Sequence, residues 1–296
     1  VGAETLLCGI AKTFRAPEQS SALAVGDIVT VAQTISADAA GADKDRSDGM
    51  ILSRQPRRTA LSRPQPMSSK RRNPYADDVF EKVLVANMDQ VVIVAATCQP
   101  KMRVGLIDRF LIIAERGQMK TLLAVNKIDI SEPPEEAMEH VRSLGVEIFP
   151  VSATRGDGLD ELRAALAGRR SVLAGASGVG KSTLVNALVP GANAATREVR
   201  AKDERGRHRT TSADVYELPG GGALVDTPGL RELSIRLDAA ELTWYFPEFQ
   251  ALAGKCRFSD CTHTHEPDCA VQAAVETGEI LPRRYESYLR ILETLE

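Results

Sequence analysis

The stretch Gly175-Ala176-Ser177-Gly178-Val179-Gly180-Lys181-Ser182 constrains this chain more than any other, because it fits the phosphate-binding pattern G-x-x-x-x-G-K-[ST]. Its glycines let the backbone pass close to a ligand, so several N–H groups can converge on anionic oxygens. Lys181 is placed to reach the β- and γ-phosphates of a nucleotide, and the Ser182 hydroxyl to ligate Mg²⁺. The flanks agree. Ser171 to Ala174 reads as a short buried strand, and Thr183 to Val189 as a helix stopped by Pro190-Gly191. Such a helix aims its N-terminus, with its excess of positive partial charge, at the phosphates.

A second element selects the base. Thr121 to Val125 reads as a strand that runs into Asn126-Lys127-Ile128-Asp129. A carboxylate at the last of these positions can accept both N1–H and the N2 amino group of guanine, a donor pair adenine lacks. Asn126 and Lys127 would shape the rest of the pocket, and Ser152-Ala153 could present a backbone N–H to guanine O6. Asp226-Thr227-Pro228-Gly229 supplies the remaining piece: Asp226 would hold the water shell of Mg²⁺, and the Gly229 N–H would meet the γ-phosphate. In ordinary small GTPases the phosphate loop comes first and the base motif late. Here positions 126 and 152 precede 175. The same sheet must therefore be cut and rejoined, a circular permutation that leaves Asp226 to Gly229 attached directly to the C-terminal segment.

Around this core the chain changes character twice. Its 296 residues exceed what one hydrophobic core usually organises. Residues 1 to about 70 carry short β-branched segments at 6–10, 26–31 and 50–54, separated by turn formers, with an Ala/Asp/Gly-rich stretch at 36–49. Arg54, Arg57, Arg58, Arg63, Lys70, Arg71 and Arg72 follow without an acidic residue between them. With Pro56, Pro64 and Pro66 among them, they read as an extended basic linker able to lie along a phosphate backbone, or simply as a solvated one. From Val83 the pattern becomes strand–helix–strand, beginning with the apolar run Val91 to Ala95, as expected of a parallel sheet covered on both faces. Near the C-terminus, Cys256, Cys261, His263 and Cys269 match a closed tetrahedral Zn²⁺ site, with His265 as the competing imidazole. No apolar run approaches the roughly 18 residues of a membrane span, so no membrane partner and a cytoplasmic location are expected.

The motif order, the basic β region before it and the Cys/His cluster after it resemble the ribosome small-subunit-dependent GTPase A family over nearly the whole chain. Gly26-Asp27, Arg57-Arg58-x-x-Leu61-x-Arg63, Ala86-Asn87-x-Asp89-Gln90 and Gly206-Arg207-His208 match that family's pattern. The resemblance implies an OB-fold β-barrel at 1–72 with the basic linker, a circularly permuted α/β P-loop GTPase domain at 73–235, and a mainly helical zinc-binding domain at 236–296. It implies GTP hydrolysis stimulated by the small ribosomal subunit and its rRNA during late subunit maturation, by a monomer that binds GTP and GDP. Leu230 follows the D-x-x-G motif where Ras-type enzymes carry a water-orienting Gln, so His208 is the candidate for that role. Arg209 stands where the family pattern has a Thr. Thr210 or Thr211 would therefore close on Mg²⁺ and the γ-phosphate, with Thr210 favoured. Two other readings remain: an ATPase, which Asp129 argues against, and an RNA-binding checkpoint that uses GTP as a switch ligand.

Overall fold

The computed structural model describes residues 5–15, 21–33, 48–65, 80–192, 194, 213–227, 230, 239–252 and 254–295. They fall into two compact units, Val1–Asn87 and Met88–Glu296. His208, Thr210, Thr211, Gly229 and the basic residues 70–72 lie outside the described residues.

The first unit is built of strands. β1 (Cys8–Ile10), β2 (Val29–Gln33) and β3 (Gly49–Arg54) form a sheet of order β1-β3-β2, in which β3 pairs parallel with β1 and antiparallel with β2. β4 (Ala60–Gln65) and β5 (Phe80–Ala86) form an antiparallel pair, and a bridge from Val25 to Val85 ties the β1–β3 region to it. Among the described residues the unit has five strands, the number an OB-fold uses. The expected basic linker is corrected here. Residues 54–65 are not a linker but the end of β3, a turn and β4. Two of the seven cations are turned inward onto Asp27, which accepts from Arg57 Nε at 2.7 Å and Arg57 Nη2 at 2.8 Å. Arg54 Nε lies 3.9 Å from the same carboxylate, with its side chain fully buried. The opposing acid sits 30 residues upstream, so nothing within the basic run could reveal it.

The second unit contains one six-stranded sheet of order β10-β11-β9-β6-β7-β8: β6 (Gln90–Ala96), β7 (Lys120–Asn126), β8 (Glu147–Pro150), β9 (Arg169–Ala174), β10 (Asp214–Glu217) and β11 (Gly222–Asp226). All neighbours are parallel except the β10–β11 hairpin. β6 lies near the middle and every one of its residues is buried, the reason its sequence from Val91 to Ala96 is an unbroken apolar run. Val92, Val94, Leu122 and Leu173 point to one face, where they pack with Leu162 and Leu166 of α3 (Leu159–Leu166) and with Leu184 and Leu188 of α4 (Lys181–Leu188). α1 (Val104–Arg116) packs on β6 and β7, and α2 (Glu135–Ser143) on β8. α2 begins directly after Pro134, and Gly145, at φ +71°, follows its C-terminal cap.

The C-terminal segment consists of α5 (Ala239–Trp244), α6 (Pro247–Gln250), α7 (Ala270–Glu276) and α8 (Pro282–Leu292). Its own core of Leu242, Phe246, Phe249, Val271, Tyr288 and Ile291 receives Ile112 from α1. Beside that apolar contact lies a buried charge cluster. Asp108 of α1, 0 % exposed, accepts from Arg284 Nη1 at 3.1 Å and from the Ser287 hydroxyl, both on α8, and lies 2.9 Å from His140 Nε2 of α2. Arg284 also donates to Glu248 and stacks 4.0 Å from the centroid of Phe246. One carboxylate thus joins three helices. Removing it would take one of two carboxylate partners from buried Arg284, leaving only Glu248, and would strip Ser287 and His140 of theirs. Asp108→Ala is therefore expected to destabilise the chain by about 3–5 kcal/mol in denaturant unfolding, while an exposed control such as Asp160→Ala shifts it by less than about 1 kcal/mol.

Candidate functional site

Parallel strands deliver their loops to one edge, and four of the sequence motifs meet at that edge because each follows the carboxyl end of a strand of the same sheet. β9 ends at Ala174 and opens into the phosphate loop; β7 ends in Asn126; β8 leads to Ser152; β11 ends in Asp226. In the phosphate loop, Gly180 caps α4 at φ +96°, a left-handed conformation, and a Cβ there would collide with the side-chain nitrogen of Asn126. Glycine is thus required at this position both by backbone angle and by the approach of the base motif. Lys181 Nζ donates to the carbonyls of Gly175 (2.8 Å) and Ala176 (2.6 Å), curled over its own loop. Ser182 and Thr183 are half-buried in the first turn of α4, and Asp226 and Thr227 are buried at the end of β11.

Asn126 is only 3 % exposed and holds the loops together. Its Nδ2 donates to Val179 O of the phosphate loop at 3.0 Å, and its Oδ1 accepts from the Ala153 N–H at 3.0 Å. The Ala153 N–H expected to face guanine O6 is therefore engaged by Asn126, and Ala153 acts on the pocket by fixing that amide. Lys127, in a left-handed conformation at φ +69°, reaches across the edge to Gly178 O at 2.9 Å and to the carbonyls of Cys98 and Gln99. Asp129 accepts from the Ser152 hydroxyl at 2.7 Å and from the Thr154 hydroxyl at 3.3 Å. The Ser152 hydrogen bond, ahead of smaller contributions from its own backbone N–H, Thr154 and Arg155, holds the Asp129 carboxyl below the usual carboxylate range. It is thus ionised at neutral pH, able to accept from a base that offers two adjacent N–H donors. Sequence reading missed Thr154 and the 98–99 carbonyls. A hydroxyl next to Ser152-Ala153 was a visible signal for the first; main-chain acceptors leave none.

A second cluster lies in the C-terminal segment. Cys256 Sγ, Cys261 Sγ, His263 Nδ1 and Cys269 Sγ lie within 4.8 Å of one another. The His263 nitrogen is 3.6 Å from Cys256 Sγ and 3.4 Å from Cys269 Sγ, and those two sulfurs are 4.0 Å apart. Metal bonds of about 2.3 Å to sulfur and about 2.0 Å to nitrogen in a tetrahedron give edges of about 3.6–3.8 Å, so the donors fit a metal ion. Burial, with help from the neighbouring thiols, pushes the Cys261 thiol up to about 12, and burial lowers His263. As thiolates, three sulfurs this close would repel one another unless a cation took their charge, which is what a metal ion would supply. His265, the competing imidazole, is exposed and bonded to Thr264 instead. His263 itself has φ +61°, and its loop is clasped from two sides. Glu266 accepts from the Thr262 hydroxyl and from the N–H groups of Thr262, Thr264 and His265; burial would raise its carboxyl, but the Thr262 hydroxyl, with backbone N–H groups that include those of Thr262 and His265, outweighs it and holds it well below the usual range. From α8, Tyr285 donates to His263 O at 2.6 Å and Tyr288 to Thr262 O at 2.9 Å. Among the described residues, no helix is long and apolar enough to cross a membrane.

A parallel sheet that carries its base-reading loops on strands preceding the phosphate loop, with a hairpin ending in Asp226, is a circularly permuted P-loop GTPase fold. Comparison with known proteins agrees. A family model described as RsgA GTPase matches residues 54–236. The "Small ribosomal subunit biogenesis GTPase RsgA" of Chlorobaculum tepidum is 42 % identical over 281 residues, covering 94 % of this chain and 87 % of that one. The protein of the same name from Moorella thermoacetica is 42 % identical over 247 residues, covering 83 % and 79 %. Among solved structures, YjeQ from Thermotoga maritima superposes with a TM-score of 0.67 at 32 % identity, over 99 % of this chain and 90 % of that one. YloQ, described as a circularly permuted GTPase, gives 0.61 at 26 % identity over 92 % and 80 %. The chain belongs to the RsgA GTPase family and is a GTP hydrolase.

The contact between Gly180 and Asn126 is open to a direct test. Gly180→Ala places a Cβ into the Asn126 amide at a strained backbone angle and is expected to cost about 1–3 kcal/mol of stability. Gly191→Ala, also at positive φ but with nothing within 4 Å, separates the two causes, since it carries the backbone strain without the collision.

Proposed function

We propose that this chain binds the small ribosomal subunit through its rRNA and hydrolyses GTP in response, during late maturation of that subunit in the cytoplasm. The observation that carries the reading is the Asp129 carboxylate, ionised and oriented by Ser152, on the same sheet edge as the phosphate loop. The printed names of the relatives, small ribosomal subunit biogenesis GTPases, support the partner. In this reading Asp129 accepts N1–H and N2–H of guanine, Lys127 and Asn126 wall the base, and Ser152 and Ala153 orient them. The loop Gly175 to Thr183 wraps the phosphates, and Lys181 swings from its own carbonyls onto the β- and γ-oxygens. Ser182 and Thr210 hold Mg²⁺, with Asp226 on its water shell and the Gly229 N–H on the γ-phosphate; the ion supplies charge neutralisation of the phosphates. His208 orients the attacking water in the partner-bound state. Cys256, Cys261, His263 and Cys269 hold a structural Zn²⁺. We also propose a three-part division at 1–87, 88–235 and 236–296, in which the boundary expected at 72/73 moves past β5 because that strand pairs with β4, with a monomer as the working form.

Turnover of GTP is expected to rise strongly on adding purified small ribosomal subunits, with no rise for ATP. GTP binding without stimulation would favour the checkpoint reading, in which GTP is only a switch ligand. His208→Ala should retain GTP binding and lose the stimulation. Asp129→Asn exchanges an acceptor for a donor, so GTP affinity should fall about a hundredfold or more while xanthosine triphosphate, which carries a carbonyl at C2, is accepted.

The metal reading has its own measurement. Elemental analysis should return zinc in equimolar amount with the chain. Cys261→Ser should lose it and open the 254–270 loop to proteolysis, with nucleotide affinity retained. A chain folded and protease-resistant without metal would contradict the assignment.

A further inference from the structure

Arg54 and Arg57, which looked from the sequence like partner-facing cations, are spent on Asp27. Affinity for an anionic partner must draw on other cations, and the second unit contains a cleft that gathers them. It has a volume of about 820 Å³ and lies where α1, α2 and α8 converge. Lys101, Arg103 and Arg109 line it from the start of α1, and Arg283 and Arg290 from α8. The two carboxylates on its wall are already engaged inside it. Glu136 pairs with Arg283, which also donates to the Glu136 carbonyl at 2.8 Å, and Glu286 pairs with Arg290 at 3.1 Å. Among the described residues, no carboxylate pairs with Lys101, Arg103 or Arg109; Arg109 donates to the neutral Thr294 hydroxyl at 2.5 Å. The first turn of α1 carries no acidic residue, so its dipole adds to the positive potential rather than opposing it.

This cleft is held in shape. The buried Asp108 cluster ties the same three helices, α1, α2 and α8, together through His140, Arg284 and Ser287. Its cations are therefore displayed at fixed separations rather than on independently moving segments, which lowers the ordering cost of docking. Four of the five are arginines, whose planar forks match phosphate oxygens.

We propose that the α1–α2–α8 cleft is a docking surface for the phosphate backbone of folded RNA. The proposal rests on the reading above for its partner: the small ribosomal subunit presents phosphodiester backbone over much of its surface. It adds the place where the second unit meets that backbone. Because one wall is GTPase helix and the other is C-terminal helix, RNA in the cleft would bind the two segments only in their docked arrangement.

The test is binding of purified small ribosomal subunits, and separately of a free RNA duplex, to the full chain over a range of salt concentrations. Arg103→Ala/Arg109→Ala is expected to reduce the slope of log K against log salt by about 1.5–2, and Arg103→Glu/Arg109→Glu to weaken binding more than about tenfold at moderate salt. GTP affinity and unstimulated turnover should be unchanged in both. A photo-crosslinker placed at position 103 should label rRNA. If wild type and both variants bind subunits alike, the cleft is a solvated basic surface and the proposal is overturned, while the ribosomal reading stands. If wild type ignores subunits but binds the duplex in a manner lost in the variants, the ribosomal reading falls and the cleft assignment stands. Binding of neither probe by wild type, or crosslinks confined to ribosomal protein, overturns the RNA assignment.

Discussion

The arrangement of the nucleotide edge depends on one amide. Asn126 ends β7, the strand that carries the base motif, and its side chain spans from the phosphate loop to the turn after β8. In a chain whose base-reading half precedes its phosphate-binding half by some fifty residues, no short connection keeps the two halves in register. The shared sheet aligns the strands, but loops at their ends need a contact of their own. Buried hydrogen bonds with both partners satisfied supply it, since breaking either would leave an orphaned polar group in the interior. Gly180 is part of the same constraint. Its missing side chain is the space into which the Asn126 nitrogen fits.

The C-terminal segment is joined to this core by a different logic. Ile112 and the Phe246–Tyr288 cluster provide area, and Asp108 provides direction, because a buried carboxylate tolerates only the geometry that satisfies it. Helix α8 faces two ways. Arg284 and Ser287 hold α1, while Tyr285 and Tyr288, one position on in each case, hold the carbonyls of the loop that carries the Cys/His cluster. A single short helix therefore sets the position of the proposed zinc site relative to the GTPase sheet.

Much of the site was legible in the sequence, for reasons that are local. A phosphate loop needs glycines at fixed offsets, and Asn126-Lys127-x-Asp129 and Asp226-x-x-Gly229 each sit within four residues on a strand end, so pattern and spacing suffice. The Cys/His cluster spans fourteen residues and was equally readable, including the choice of His263 over His265. What could not be read depends on pairing across distance. β5 (Phe80–Ala86) looked like the opening of the α/β pattern, yet it pairs antiparallel with β4 and belongs to the first unit, because its partner strand decides its allegiance and its own residues do not. The basic run looked unopposed because its counter-charge lies 30 residues away.

The sequence by itself determined the class of chemistry: which residues can hold phosphate, read guanine and bind a metal, and in what order along the chain they come. That order also determined the permutation, since motif sequence and sheet order are both properties of connectivity. Only the tertiary structure decided which polar groups are spent internally and which are left to face a partner. Asp27 removes two arginines from the surface, Asn126 takes the N–H of Ala153, and Asp108 ties together the three helices that frame a basic cleft. The physical reason is the short range of hydrogen bonds and ion pairs. They act over a few ångströms in space, and separation along the chain does not say which groups will come that close.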